Sequence, residues 1–263
     1  MRSRGDERAD AAAIHYPAQC HEFFTAVQDE SFWFKARNRL IIDLLRRYAA
    51  DLQSLIEVGC GTGFVLQAIH EAFPVARLVG LEPQAEGLAE AARRLSSAIE
   101  LREGDVRHLD GAEVFDAVCA FDVLEHIEDD RAALAALAHL TRPGGFVFLT
   151  VPQHPWLWGA ADELAQHRRR YRRGDLEGIA AAAGLDVILS TSFVFVLLPA
   201  MLATRRLRLV RPEQEQQLPR PLGAVFERIL DGERWLISAG CRLPIGGTRV
   251  VVARRRSTVL VAA

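Results

Sequence analysis

The chain has 263 residues, half of them hydrophobic and a quarter charged, with a formal net charge of -2 at pH 7. That length suits one large α/β domain or two small ones with a sizeable core, and the composition excludes a disordered or collagen-like chain. The near-neutral balance excludes a strongly basic protein, so nucleic acid is not an expected partner.

Residues 1–14 open with Arg2, Arg4, Asp6, Glu7, Arg8 and Asp10 and read as a flexible tail, without the apolar run of a signal peptide. Residues 15–50 read as an N-terminal helical lid, because Phe32, Phe34, Leu40, Ile41, Leu44 and Leu45 fall near helical spacing. Over residues 51–192 the pattern changes. Short apolar runs at Leu55–Val58, Ala76–Leu81, Phe115–Phe121 and Phe146–Val151 alternate with helix-like segments such as Phe64–Phe73, Ala85–Leu95 and Arg131–Leu140. Uninterrupted apolar strands between helices predict a doubly wound, mostly parallel sheet covered on both faces. A helix over Asp175–Ala183, closed by Gly184, leads to a strand at about Leu185–Thr191. Residues 193–247 then read as a helical cap with helices over Val196–Leu209 and Leu222–Leu236, inserted before a last strand, Arg249–Ala253, within residues 248–263.

Val187 to Ala203 is nearly uncharged, but it is interrupted by Ser190, Thr191, Ser192 and Pro199 and falls short of the roughly 20 apolar residues a membrane span needs. The first reading is a buried strand followed by a cap helix. Peripheral membrane contact through 187–211, where Arg205, Arg206, Arg208 and Arg211 follow the apolar stretch, is the second, and a span the third. The four cysteines, Cys20, Cys60, Cys119 and Cys241, have neither zinc nor redox spacing. They predict reduced thiols and a cytoplasmic protein, with association at the inner membrane face left open. No metal-ligand spacing is visible either, which predicts no metal.

The chemistry begins at Leu55-Ile56-Glu57-Val58-Gly59-Cys60-Gly61-Thr62-Gly63-Phe64, where an apolar strand runs into a glycine cluster and a helix begins. Glycine permits positive φ and close approach of a ligand to the backbone, and the helix start offers free N–H groups. The spacing is G-x-G-x-G, not the dinucleotide G-x-G-x-x-G. Glu82-Pro83 ends the second strand, where a carboxylate can accept from a ribose diol; capping of the next helix is the alternative. Asp105-Val106 follows the third strand segment, and Phe121-Asp122-Val123-Leu124-Glu125-His126 ends the fourth. All lie at the strand ends where open α/β sheets bind ligands.

In this order the motifs resemble the class I S-adenosylmethionine-dependent methyltransferases, over roughly residues 35–192 and the closing strand. Glu57–Gly63 resembles that family's first motif and Phe121–Ile127 the D-x-L-E-H stretch of its type 11/12 branch, with Arg142–Gly145 as the turn before strand five. The resemblance implies a Rossmann-like seven-stranded sheet whose last strand is antiparallel. It implies S-adenosyl-L-methionine as cofactor, contacted by Glu57, Gly59, Cys60, Gly61, Gly63, Glu82, Pro83, Asp105, Val106, Phe121, Asp122 and His126.

The segment after strand five is rich in reactive side chains: Trp156, Trp158, Asp162, His167, Arg170 and Tyr171. Asp162 and His167 would not share a helix face, but a loop brings such a pair together. His167 is the candidate general base, a structural or substrate-orienting role being the alternative and His126 the rival. Trp156 and Trp158 read as a substrate wall or as core packing. Arg170 and Tyr171, in the run after His167, read as contacts to an anionic group on a substrate or as a solvated face. The expected activity is O-methylation of a small-molecule or lipid- or sugar-linked metabolite. N-methylation of a small amine, RNA methylation and a non-catalytic cofactor-binding protein remain as alternatives.

Overall fold

The structure, a computed structural model, describes residues 25–109, 114–206 and 218–257. The expected tail over 1–14 lies outside these residues, as do Arg208 and Arg211.

Among the described residues the main helices and strands are α1 (Phe32–Tyr48), β1 (Ser54–Val58), α2 (Phe64–Ala72), β2 (Arg77–Glu82), α3 (Ala85–Arg94), β3 (Glu100–Glu103), β4 (Phe115–Phe121), α4 (Asp130–Leu140), β5 (Thr141–Pro152), α5 (Ala160–Leu164), α6 (Asp175–Ala182), β6 (Leu185–Phe193), α7 (Leu198–Arg206), α8 (Arg220–Ser238) and β7 (Thr248–Arg255). The strands form one seven-stranded sheet in the order β3-β2-β1-β4-β5-β7-β6. β7 runs antiparallel to β5 and β6, and the pairings among β1 to β5 are parallel. The chain order reverses between β1 and β4, which opens a crevice at their C-terminal ends.

Alternate residues of each strand feed two cores, as the two-residue strand period requires. Leu55, Ala117, Cys119, Phe148, Val250 and Val252 pack on the side of α1, α2 and α8. Ile56, Val118, Ala120, Val147, Leu149 and Val251 pack on the side of α4 and α6. The expected Arg142–Gly145 turn lies within β5 as an irregularity, with Gly144 at φ 77°, where the pairing with β4 shifts from Phe115–Thr141 to Ala117–Phe146.

The two cap helices are observed, with shifted starts. α7 begins at Leu198 rather than Val196 because the Glu233 carboxylate accepts from the Phe195 and Val196 N–H groups, at 3.0 and 2.7 Å, and holds them in a turn. α8 begins at Arg220, with Pro221 in its first turn, where a missing N–H costs little. It lies along α1: Arg39 pairs with Glu227 and Asp231, Arg234 with Asp43, and the Phe32 ring meets Phe226 edge-on at 5.5 Å. The lid and the cap therefore form one wall over the sheet. No helix among the described residues is long and apolar enough to cross a membrane, which removes the spanning reading of 187–203 for them.

A buried ion pair ties α6 to β7. Burial pushes the Glu177 carboxyl up, but the Ser190 hydroxyl and the Arg249 guanidinium outweigh it and hold it below its ordinary value of 4.5. The stability tied to a depressed carboxyl is complete above its unfolded pKa and is lost as pH falls through the folded one. Melting temperature should therefore drop as pH falls below about 4.5, and less steeply in Glu177→Gln. Parallel melting curves of the two proteins across that range check it.

Candidate functional site

The turn after β1 has the backbone its glycines predict. Gly59, Gly61 and Gly63 sit at φ of 69°, 51° and 75°, the left-handed region that side chains rarely enter. At Gly59 an added Cβ would also meet Val123 Cγ2 at 2.5 Å, whereas at Gly61 it would point into open space. That space is part of a cavity of about 580 Å3. The Gly61 N–H donates to Glu82 Oε2 at 2.9 Å, and the Gln84 N–H to Oε1 at 3.1 Å. Glu82 thereby stands on the cavity wall beside the turn. Glu57 is fully buried on the cavity wall, and burial pushes its carboxyl up to about 8 against the pull of Arg37.

Behind the turn, α1 closes the crevice. Its buried Arg37 pairs with Asp122 at the end of β4 and lies 4.6 Å from the Trp33 ring centroid. Asp122 itself stands at φ 56°, an uncommon conformation for a residue other than glycine. It is held there by its N–H donating to the Thr150 carbonyl at 2.9 Å and its Oδ1 accepting from the Thr150 hydroxyl at 3.0 Å.

The far end of the cavity is walled by the cap and by the segment after β5. Leu197, Met201, Leu222 and Phe226 supply apolar surface. Asp162 is almost fully buried and accepts from the Gly159 N–H at 2.9 Å, His167 Nδ1 at 2.8 Å, Arg170 Nε at 2.7 Å and Arg205 Nη1 at 3.3 Å. Burial alone would raise this carboxyl; the His167 hydrogen bond and the Arg170 and Arg205 guanidiniums outweigh it and keep Asp162 ionised. His167 thus points Nδ1 at a carboxylate, with Nε2 3.9 Å from Glu125 Oε1. His126 lies edge-on to His167, ring centroids 4.9 Å apart, and burial together with that neighbour lowers its pKa to about 3.

With this geometry in hand, the relatives are informative. The pattern of the methyltransferase domain family matches residues 33–190, more than half of the chain. The chain belongs to the class I S-adenosylmethionine-dependent methyltransferases. Among curated proteins it is 32% identical over 105 residues to a ubiquinone biosynthesis O-methyltransferase of Rhodopseudomonas palustris (strain BisB18), covering 39% of this chain and 41% of that one. It is 33% identical over 113 residues to a trans-aconitate 2-methyltransferase of Deinococcus radiodurans, covering 40% and 43%. The match thus spans under half the length of these relatives. Among solved structures, a putative sarcosine dimethylglycine methyltransferase from Galdieria sulphuraria superposes with a TM-score of 0.57 at 15% identity over 84% of this chain and 86% of that one. The [4+2]-cyclase SpnF superposes with 0.56 at 19% over 85% and 83%. Both likenesses show the fold alone.

The family's cofactor fits these residues: the open space at Gly61, the Glu82 carboxylate at the end of β2 and the cavity volume are what a methyltransferase needs at its first turn. Glu57, Gly59, Cys60, Gly61, Glu82, Pro83, Phe121, Asp122 and His126 line the cavity as expected, and so do Asp162, His167 and Arg170. Six expected residues do not. Gly63 is in the turn but caps α2. Asp105 and Val106 lie beyond the cavity wall, the Asp105 carboxylate being taken by Arg107. Trp156 and Trp158 are a correction: neither lines the cavity, and they are 44% and 40% exposed because Pro155–Leu157 turns outward, with Trp156 stacked on His154. Tyr171 is also corrected. It is buried outside the cavity, donates its hydroxyl to Asp130 Oδ2 at 2.8 Å, and braces the segment after β5. The sequence names Glu125 only as part of a motif and does not single out Arg37, although both stand in the cavity wall. For Glu125 the available signal was a second acid at the end of an apolar strand, three residues after Asp122.

Proposed function

We propose that this methyltransferase-family protein methylates an oxygen of a small, mainly apolar or lipid-like metabolite. The observation that carries this reading is one cavity joining the glycine turn and Glu82 to an apolar cap wall and to the Asp162–His167 pair. The O-methyltransferase among its relatives points the same way. S-adenosylmethionine, when bound, supplies a methyl group on a sulfonium, so the protein has mainly to align and shield. Glu82 and the turn hold the cofactor, while α1 and the cap exclude water. Asp162 accepts a hydrogen bond from the Nδ1–H of His167, which leaves Nε2 as the lone pair that receives the acceptor's hydroxyl proton.

Incubation with S-adenosylmethionine and a panel of phenols, carboxylic acids and amines tests the reading by mass spectrometry of the products. Methylated oxygen in an apolar acceptor is expected. Methylation confined to amines would move the acceptor atom to nitrogen, and turnover of none of them with the cofactor bound would overturn the proposal.

The cap also supports peripheral contact with a lipid surface. Phe195, Val196, Leu222, Val225 and Trp235 are exposed on it, and Leu222 also lines the cavity. Arg205 and Arg206 end α7 on the same cap, although Arg205 is largely engaged by Leu157 and Asp162. The protein should co-sediment with anionic vesicles at low salt and release as salt rises. Absence of binding at low salt leaves these residues with the cap role alone.

A further inference from the structure

At the acceptor end of the cavity the fold brings together three side chains that the sequence keeps apart. Glu125, His126 and His167 each present one potential ligand atom, all within 4.8 Å of one another. Glu125 is completely buried, and both of its carboxylate oxygens lack a hydrogen-bond partner. A buried carboxylate with nothing to accept from is costly, and this one lies in the cavity wall beside two imidazoles.

The imidazoles are prepared for a ligand role. A metal-binding histidine commonly donates its other ring N–H to a carboxylate or a backbone carbonyl. His167 Nδ1 is bonded to Asp162 Oδ1 at 2.8 Å, which leaves Nε2 toward Glu125. His126 is hydrogen-bonded to the Gln166 backbone, and one of its ring nitrogens lies in the 4.8 Å cluster with Glu125 and His167.

We propose that Glu125, His126 and His167 hold a divalent first-row transition cation, with Asp162 and the Gln166 carbonyl as the groups that orient the two rings. Two imidazoles and one carboxylate are the donor set of catalytic zinc sites and of other divalent transition-metal sites that keep open positions for substrate. Bonds of about 2.0–2.2 Å bring ligand atoms to roughly 3–3.5 Å from one another, so the cluster closes on a cation by side-chain shifts of about an ångström. All three side chains line the cavity, so a substrate there would be within reach of such a cation. The sequence reading predicted no metal because His167 is far along the chain from the Glu125-His126 pair. α5 and the turn after it return His167 to the end of β4.

The inference rests on the methyl-transfer reading and deepens it. In the metal-free protein His167 receives the acceptor's proton. With the cation in place, His167 becomes a ligand, and the cation lowers the pKa of a hydroxyl bound at an open position. That proton would leave to bulk water as the acceptor binds and displaces the cavity's water; the oxygen–carbon bond would then form as the sulfur–carbon bond breaks, its electron pair kept on sulfur.

The test is calorimetric titration of chelator-treated full-length protein with zinc chloride and, separately, with manganese chloride. One equivalent per chain is expected for at least one of them. Affinity should fall by about 100-fold or more in Glu125→Gln and His126→Gln, and by about 10–100-fold in Asp162→Asn. Titration with S-adenosylhomocysteine shows that each variant is folded. Wild-type protein loaded with cobalt(II) gives a readout that needs no variant: visible d–d bands without thiolate charge transfer, Cys241 being an exposed thiol among the described residues that could compete. No stoichiometric binding by the wild type, unchanged affinity in Glu125→Gln, or a thiolate band would overturn the cation site. Binding of S-adenosylhomocysteine to the metal-free wild type in that case leaves the methyltransferase reading standing; its failure to bind would remove that reading instead.

Discussion

His167→Ala is expected to lower methyl transfer by about 10²–10⁴-fold, the range for loss of a general base, while affinity for S-adenosylhomocysteine stays nearly unchanged. The separation follows from position. His167 faces the cap end of the cavity, bonded to Asp162 after β5, whereas the glycine turn and Glu82 lie at the ends of β1 and β2. The variant leaves Asp162 with the Gly159 N–H and the Arg170 and Arg205 guanidiniums, so the carboxylate is not stranded and the segment should hold. Single-turnover rates and thermal melts on the same preparation separate chemistry from folding. A stable variant that binds cofactor and transfers methyl at the wild-type rate would remove His167 from the chemistry. A melting temperature that falls together with cofactor affinity would make it structural.

Gly61→Val should abolish measurable cofactor binding, with affinity down at least about 100-fold. Two effects add. The backbone at φ 51° is a genuine outlier for a β-branched residue, and the new side chain would fill the open space beside the turn that a ligand needs. Because nothing of the protein itself stands there, the folded state should survive the substitution with a modest drop in melting temperature. Gly59→Ala is the informative contrast. Its Cβ would collide with Val123 rather than with a ligand, so its damage should appear in stability as well. Calorimetry and melts on the pair distinguish occupation of the cofactor space from distortion of the turn.

The sheet was legible because its central strands are buried on both faces and so read as continuous apolar runs. β3 was the weak point. Its residues Glu100-Leu101-Arg102-Glu103 lie at the sheet edge and all but Leu101 are charged, so the sequence showed only a faint apolar segment there. The start of α7 was misplaced because it is set by Glu233, which reaches the Phe195 and Val196 N–H groups from α8, a contact no local pattern records. The candidate site divides in the same way. The glycine turn and Glu82 are local features with their own signature. Asp162 and His167 are only five residues apart, and a loop suffices to join them. Arg37 and Asp122 are 85 residues apart and meet only once α1 has packed over the sheet. The tryptophans were misjudged because residue type was informative and direction was not: a turn of three residues sends them outward.

The cofactor site at the β1 turn is the center of the account, and calorimetric titration of the wild type and Glu82→Ala with S-adenosylhomocysteine tests it most directly. The wild type should bind one equivalent. The variant should bind more weakly by roughly 1.5–3 kcal/mol, the worth of charge-assisted hydrogen bonds to a carboxylate, with its fold checked by melting because Glu82 also accepts from the Gly61 and Gln84 N–H groups. A wild type that binds no S-adenosylhomocysteine, or a folded Glu82→Ala that binds it as tightly as the wild type, would contradict the assignment.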